Sequence, residues 1–91
     1  MAAKLLKIKI FGTVQGVFFR HSAGIKFQEL GLKGFARNEP DASLYLEAEG
    51  EEQALNKLLE WCKKGPSSAK VEHVEFSFWE GVGAFSGFEI Q

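Results

Sequence analysis

The densest chemical character in this chain of 91 residues lies near its start, in Gly12-Thr13-Val14-Gln15-Gly16-Val17-Phe18-Phe19-Arg20. Glycines let a backbone bend inward and approach a ligand closely. The amides of such a loop, with the free N–H groups of a helix start, make a concave anion site. Arg20 adds a planar, permanently charged fork that suits phosphate oxygens. The stretch therefore reads as a phosphate cradle, with backbone donors from Gln15, Gly16, Val17, Phe18 and Phe19 and a side-chain clamp from Arg20. On residue physics alone, a strand–helix connection whose glycines serve only the turn is an equal alternative.

The loop is also defined by what it lacks: a cysteine or serine nucleophile, a carboxylate, or a histidine within it. His21 adjoins Arg20 and reads as an exposed histidine in the first turn of a helix. His73 reads as structural, and Cys62 as a buried thiol on an apolar helix face. These three do not make a metal-ligand spacing. A catalytic site of this kind, having no general acid, would expel an alkoxide from a phosphate monoester with difficulty. A carboxylate leaves without being protonated. If the site is an enzyme's, its chemistry selects acyl phosphates.

The elements that must position these residues follow from periodicity. Leu6, Ile8 and Ile10 alternate with Lys7 and Lys9, so a half-buried strand is expected over about 4–11. Ala23, Phe27 and Leu30 share one helical face, so a helix runs from Arg20 or His21 to about Leu30 and stops at Gly31. No strong side-chain cap precedes it, which suits a helix start whose amides are left for a ligand. A strand over about 33–39, a turn at Pro40-Asp41-Ala42-Ser43 and a strand from Leu44 to Glu49 form a hairpin. A second helix spans about 51–64 with Leu55, Leu58, Leu59 and Cys62 inward, and Gly65-Pro66 ends it. A fourth strand covers about 69–80 with Val74, Phe76 and Phe78 on one face. Gly81-Val82-Gly83 is a flexible turn, and Phe88 and Ile90 mark a short last strand. The order β-α-β-β-α-β plus a terminal strand is an α+β, ferredoxin-like (split βαβ) sandwich, with two helices on one face of an antiparallel sheet.

This topology makes the first two strands parallel, so their carboxyl ends share one edge of the sheet. In the expected 4-1-3-2 order one strand separates them. Asn38 then lies about 9.5–10 Å from the first strand, within reach of an object that Arg20 also touches. Taken alone, Asn38 is better read as a turn residue beside Pro40 and Asp41.

The chain's size allows one domain, over residues 1–91, with one modest core. A single cysteine excludes an internal disulfide framework and fits a reducing compartment. Lysines interrupt the N-terminal apolar residues, and no apolar run reaches spanning length, so no membrane role is expected and the cytoplasm is the default location. Net charge is −1, which argues against bulk affinity for nucleic acid. The charge is unevenly spread: residues 1–28 carry +5 and residues 29–91 carry −6. The segment with the anion loop is thus the basic one, although Lys7 and Lys9 are best read as the wet face of a strand.

Gly12-x-Val14-Gln15-Gly16-Val17-x-Phe19-Arg20 resembles the signature of the acylphosphatases, small enzymes that hydrolyse carboxyl-phosphate anhydrides and share the ferredoxin-like fold. Gly34-Phe35-Ala36-Arg37-Asn38 resembles that family's second motif. The resemblance implies that Arg20 holds the phosphate and that Asn38 orients the attacking water. It implies acyl phosphate and inorganic phosphate as the small-molecule partners, a monomer, and neither metal, cofactor nor phospho-enzyme. Three residues depart from the pattern. Phe35 and Ala36 stand where tryptophan and valine are common, which is expected to loosen packing beneath Asn38. Ala42 stands where the family usually has the glycine of an Asp-Gly turn, which implies an altered hairpin and lower stability.

Two other readings compete. A catalytically weak, phosphate-binding regulatory domain would keep the loop and lose turnover. An RNA-binding module on a similar fold is suggested by Lys33-Gly34-Phe35-Ala36, but Arg37, Asn38 and Pro40 break that motif. The segment also lies on the second strand, not the third.

Overall fold

The structure is a computed structural model that describes residues 3–91. The elements are β1 (Lys4–Thr13), α1 (Phe19–Leu30), β2 (Lys33–Asn38), β3 (Leu44–Gly50), α2 (Glu52–Cys62), β4 (Lys70–Glu80) and β5 (Phe88–Ile90). They form one five-stranded sheet in the order β4-β1-β3-β2-β5. The pairs β1–β3, β1–β4 and β2–β3 are antiparallel, as expected. The short β5 adds alongside β2 in parallel, so the complete sheet is mixed.

Alternation along each strand decides what is buried. Ile8 faces Leu46 across β1–β3, Leu46 faces Ala36 across β3–β2, and all three are fully buried. From this row and its neighbours Leu6, Ile10, Leu44 and Ala48 comes the sheet half of the core. Phe19, Ala23 and Phe27 of α1 and Leu55, Leu58, Leu59 and Cys62 of α2 supply the helical half. Cys62 is buried as expected, and desolvation pushes its thiol above the ordinary range.

The same alternation places Phe35 and Arg37 on the opposite, open face with Tyr45. The Arg37 guanidinium lies 5.4 Å from the Phe35 ring centre and 5.1 Å from that of Tyr45. Phe35 is only 8% exposed because Phe85 closes over it, ring centres 5.9 Å apart. The expectation that Phe35 loosens packing under Asn38 does not hold, because the two side chains lie on opposite faces. Ala36 is on the helix face and fully buried.

Phe85 belongs to the segment that must cross from β4 at one sheet edge to β5 at the other. Its start is tied down by Glu49, whose carboxylate accepts from the amides of Val82 (2.6 Å) and Gly83 (2.8 Å). Those two bonds are why Glu49 can be buried on an otherwise wet face. Phe76 and Phe78 sit opposite Ile8 and Leu6 as the pattern required, yet remain 50% and 39% exposed. β4 is an edge strand, and neither helix makes substantial contact with it.

Candidate active site

β1 runs two residues further than its apolar pattern suggested, through a bulge between Phe11 and Gly12. Gly12 has φ 134°, and a Cβ there would lie 2.1 Å from the Lys70 carbonyl oxygen. This glycine therefore serves the close approach of β4, not of a ligand. The loop proper is 14–18. Gly16 has φ 73° and Phe18 has φ 61°, while Val17 between them is not left-handed. Alternation of handedness turns successive N–H groups to one side, the geometry of an anion nest. Phe18 adopts for this a conformation costing a non-glycine residue roughly 1–2 kcal/mol, and its side chain is left 78% exposed.

The strained turn is anchored at three points. The Gln15 side-chain amide donates to the carbonyls of Glu39 (2.9 Å) and Ser43 (2.8 Å), bolting the loop to the β2–β3 hairpin. The Ser68 hydroxyl donates to the Val17 carbonyl at 2.6 Å. Phe19 is buried against Trp61, ring centres 5.3 Å apart, which fixes the start of α1. Helix hydrogen bonding begins with Ser22, whose amide donates to the Phe18 carbonyl at 3.0 Å. Among the described residues, the backbone amides from Gln15 to His21 have no protein acceptor. The missing N-cap read from the sequence is thus a row of free donors.

Asn38 ends β2, paired with Leu44, which also pairs with Ile10 of β1. One line across the sheet joins Ile10, Leu44 and Asn38 on the helix face, beneath the loop. Gly16, Phe18, Phe19, Arg20 and Asn38 all line a cavity of about 270 Å³. Gln15 and Val17 do not line it; their side chain and carbonyl, respectively, hold the loop in shape. Sequence reasoning missed Val14 and Ile90 in the wall and undervalued His21, which is exposed as expected but borders the cavity. The placement of His21 next to Arg20 was the one signal in the sequence. His73 is remote, against Phe11 and Glu75 on β4.

Ion pairing engages most lysines of the basic segment, but among the described residues no acidic side chain engages Arg20. Lys4, Lys9 and Lys26 pair with Glu80, Asp41 and Glu29, and Lys7 sits over the Trp79 ring. Among the described residues Arg20 has no Asp or Glu side-chain partner; its Nη1 donates to the Gln91 main-chain oxygen at 3.0 Å. Three of the five cations of the basic segment are thus paired with acids, and Arg20, which has no acidic side-chain partner, borders the cavity. Asn38 Oδ1 is the counterpart: it is buried at the wall with no protein donor among the described residues.

The acylphosphatase family profile matches residues 6–90. The chain belongs to the acylphosphatase family. It is 47% identical over 85 residues to the acylphosphatase of Acaryochloris marina, covering 93% of this chain and 90% of that one. It is 42% identical over 85 residues to that of Anaeromyxobacter dehalogenans, covering 93% and 91%. The structure of an acylphosphatase from Coxiella burnetii superposes with a TM-score of 0.91 at 33% identity, covering 99% of this chain and 94% of that one. The acylphosphatase expectation from the two motifs, and the ferredoxin-like fold expected from the pattern, are both borne out.

Proposed function

We propose that the cavity under the 14–18 loop is where this acylphosphatase binds the phosphoryl group and hydrolyses the carboxyl-phosphate bond, by in-line attack of water and without a metal. The observation that carries this is the opposition, across one cavity, of free amides and an Arg20 without an acidic side-chain partner to the orphaned acceptor of Asn38.

In this reading the amides of Gln15 to Phe19 and the Arg20 guanidinium hold the phosphoryl oxygens. Asn38 Oδ1 accepts a hydrogen bond from the water and so turns an oxygen lone pair toward phosphorus. The water oxygen–phosphorus bond forms as the phosphorus–acyl oxygen bond breaks. The carboxylate leaves with the bonding pair and the water proton passes to solvent. Phosphoryl transfer rests mainly on positioning and charge stabilisation, and donors set in advance supply both. No carboxylic acid among the described residues lines the cavity, and a carboxylate leaving group needs no proton to depart.

In this reading the domain acts as a monomer. The buried, unpaired Cys62 supports a cytoplasmic location. Burial of Phe35 under Phe85 argues against RNA, since the ring of the partial motif is not itself free for base stacking.

The test is hydrolysis of benzoyl phosphate by purified protein in the presence of a chelator, with Arg20→Gln and Arg20→Lys alongside. Turnover should resist the chelator and fall at least about 100-fold in Arg20→Gln, the loss typical of one oriented donor. Lysine should rescue little of it, because a point charge cannot replace the fork. Near wild-type turnover in Arg20→Lys would show that Arg20 is not the phosphate clamp. Phosphate binding without turnover by the folded protein would favour a regulatory domain.

A further inference from the structure

A second and larger cavity, of about 650 Å³, opens beside the first, between α1 and β5. Its wall on α1 is His21, Gly24, Ile25 and Gln28, positions 0, 3, 4 and 7 of one helical stripe. Its wall on β5 is Phe88 and Ile90. Gly24 has no side chain, and a Cβ there would stand 2.9 Å from the Phe88 ring, so the ring lies directly against the helix as the floor. Phe88 is held from below by Phe27, ring centres 4.6 Å apart. Ile25 and Ile90 are 50% and 52% exposed, an unusual placement for two isoleucines flanking one groove.

His21 and Ile90 border both cavities, so the groove begins where the phosphate cavity ends. From His21 to Gln28 the helix advances roughly 10 Å. Lining the groove are apolar side chains with a histidine and a glutamine, and no acidic or permanently cationic group.

We propose that this groove is the subsite for the acyl group, and that the acylphosphatase prefers acyl phosphates with an apolar aromatic or medium-length aliphatic acyl chain. The inference rests on the phosphate assignment above, because the acyl carbon is bonded to the phosphate through one oxygen and must leave the first cavity by an adjoining opening. A ring or chain extended along α1 would cover Ile25, Ile90 and the edge of Phe88. A methyl group would not reach Ile25, one turn beyond His21.

The experiment compares benzoyl phosphate with acetyl phosphate in wild type, Ile25→Ser and Gln28→Trp. The readout is the ratio of their kcat/KM values, in which effects on the phosphate end cancel. Ile25 and Gln28 are exposed, so both variants should fold. Ile25→Ser should lower the ratio about 3–10-fold, through KM for the benzoyl substrate, as expected for losing an apolar wall. Gln28→Trp, which partly fills the far end, should also lower it. An unchanged ratio in both variants, with turnover intact, would overturn the groove and leave the phosphate site standing. Calorimetry with benzylphosphonate and methylphosphonate reads the groove without turnover. Tighter binding of the benzyl compound, reduced in Ile25→Ser, would sustain the subsite even if hydrolysis failed; equal binding of the two would overturn it.

Discussion

The turn between β2 and β3 holds a strain that a single substitution should release. Ala42 has φ 73°, a left-handed conformation, and its side chain is exposed. The turn is built to keep it there. The Ala42 amide donates to the Glu39 carbonyl (3.1 Å), the Glu39 amide donates to the Ser43 carbonyl (2.9 Å), and the Ser43 amide donates to the Asp41 carboxylate (3.0 Å). A non-glycine residue in this region costs roughly 1–2 kcal/mol. Glycine removes that cost but brings about 0.5–1 kcal/mol of extra chain entropy to the unfolded state. Ala42→Gly should therefore stabilise the fold by about 0.5–1 kcal/mol. In a domain of this size that is a rise in Tm of roughly 2–8 °C. The departure from the family pattern at this position thus becomes a measurable strain, since alanine has adopted the glycine conformation instead of remodelling the turn. Thermal and urea unfolding of the two proteins are the assay. Ala42→Val supplies the opposite arm, being exposed yet β-branched, and should destabilise. Activity of Ala42→Gly should stay near wild type, because the Glu39 and Ser43 carbonyls that receive Gln15 are already in place. An unchanged or lowered Tm in Ala42→Gly would refute the claim of strain.

Asn38→Ala should cut kcat by about 100–1,000-fold while inorganic phosphate still binds, as measured by single-turnover kinetics beside phosphate inhibition. Gln15→Ala should cost about 1–3 kcal/mol in urea unfolding and also lower kcat, since it frees the strained loop from the hairpin; full activity would show that the loop keeps its shape unaided. Hydrogen bonds from the Ser43 hydroxyl and amide, then Lys9, lower the Asp41 pKa from 3.8 to about 2. A depressed carboxyl contributes stability above its unfolded value and loses it as pH falls through the folded one. Wild type should thus lose Tm relative to Asp41→Asn between about pH 4 and pH 2, and parallel melting curves across that window would refute the coupling.

Much of the site was legible because its determinants are local. A glycine-bracketed strand–helix turn ending in arginine, and the absence of a cap, are written in consecutive residues. Alternation in Leu6, Ile8 and Ile10, and the spacing of Leu55, Leu58 and Cys62, reproduce the period of the element itself, so strands, helices and buried faces followed directly. The β1 end was misjudged because a bulge at Phe11/Gly12 is imposed by the partner strand, not by β1's own pattern. Exposure of Phe76 and Phe78 escaped the pattern for a related reason: alternation reports which face a residue is on, not whether a helix covers that part of it.

By itself the sequence determined the fold class, the glycine-bracketed strand–helix loop and, through the two motifs, the family. Those features depend on backbone conformation and on residues close in the chain. Only the tertiary structure decided the pairing of Lys4 and Lys9, because Glu80 and Asp41 are brought to them by the fold. Only it showed that Gln15 is a bolt to the hairpin, that Phe18 bears the strain of the nest, and that β5 lines up with β2. That last pairing sets Ile90 at the cavity beneath the loop and Phe88 under α1, residues separated from the loop by some 70 positions of sequence and joined to it by packing alone.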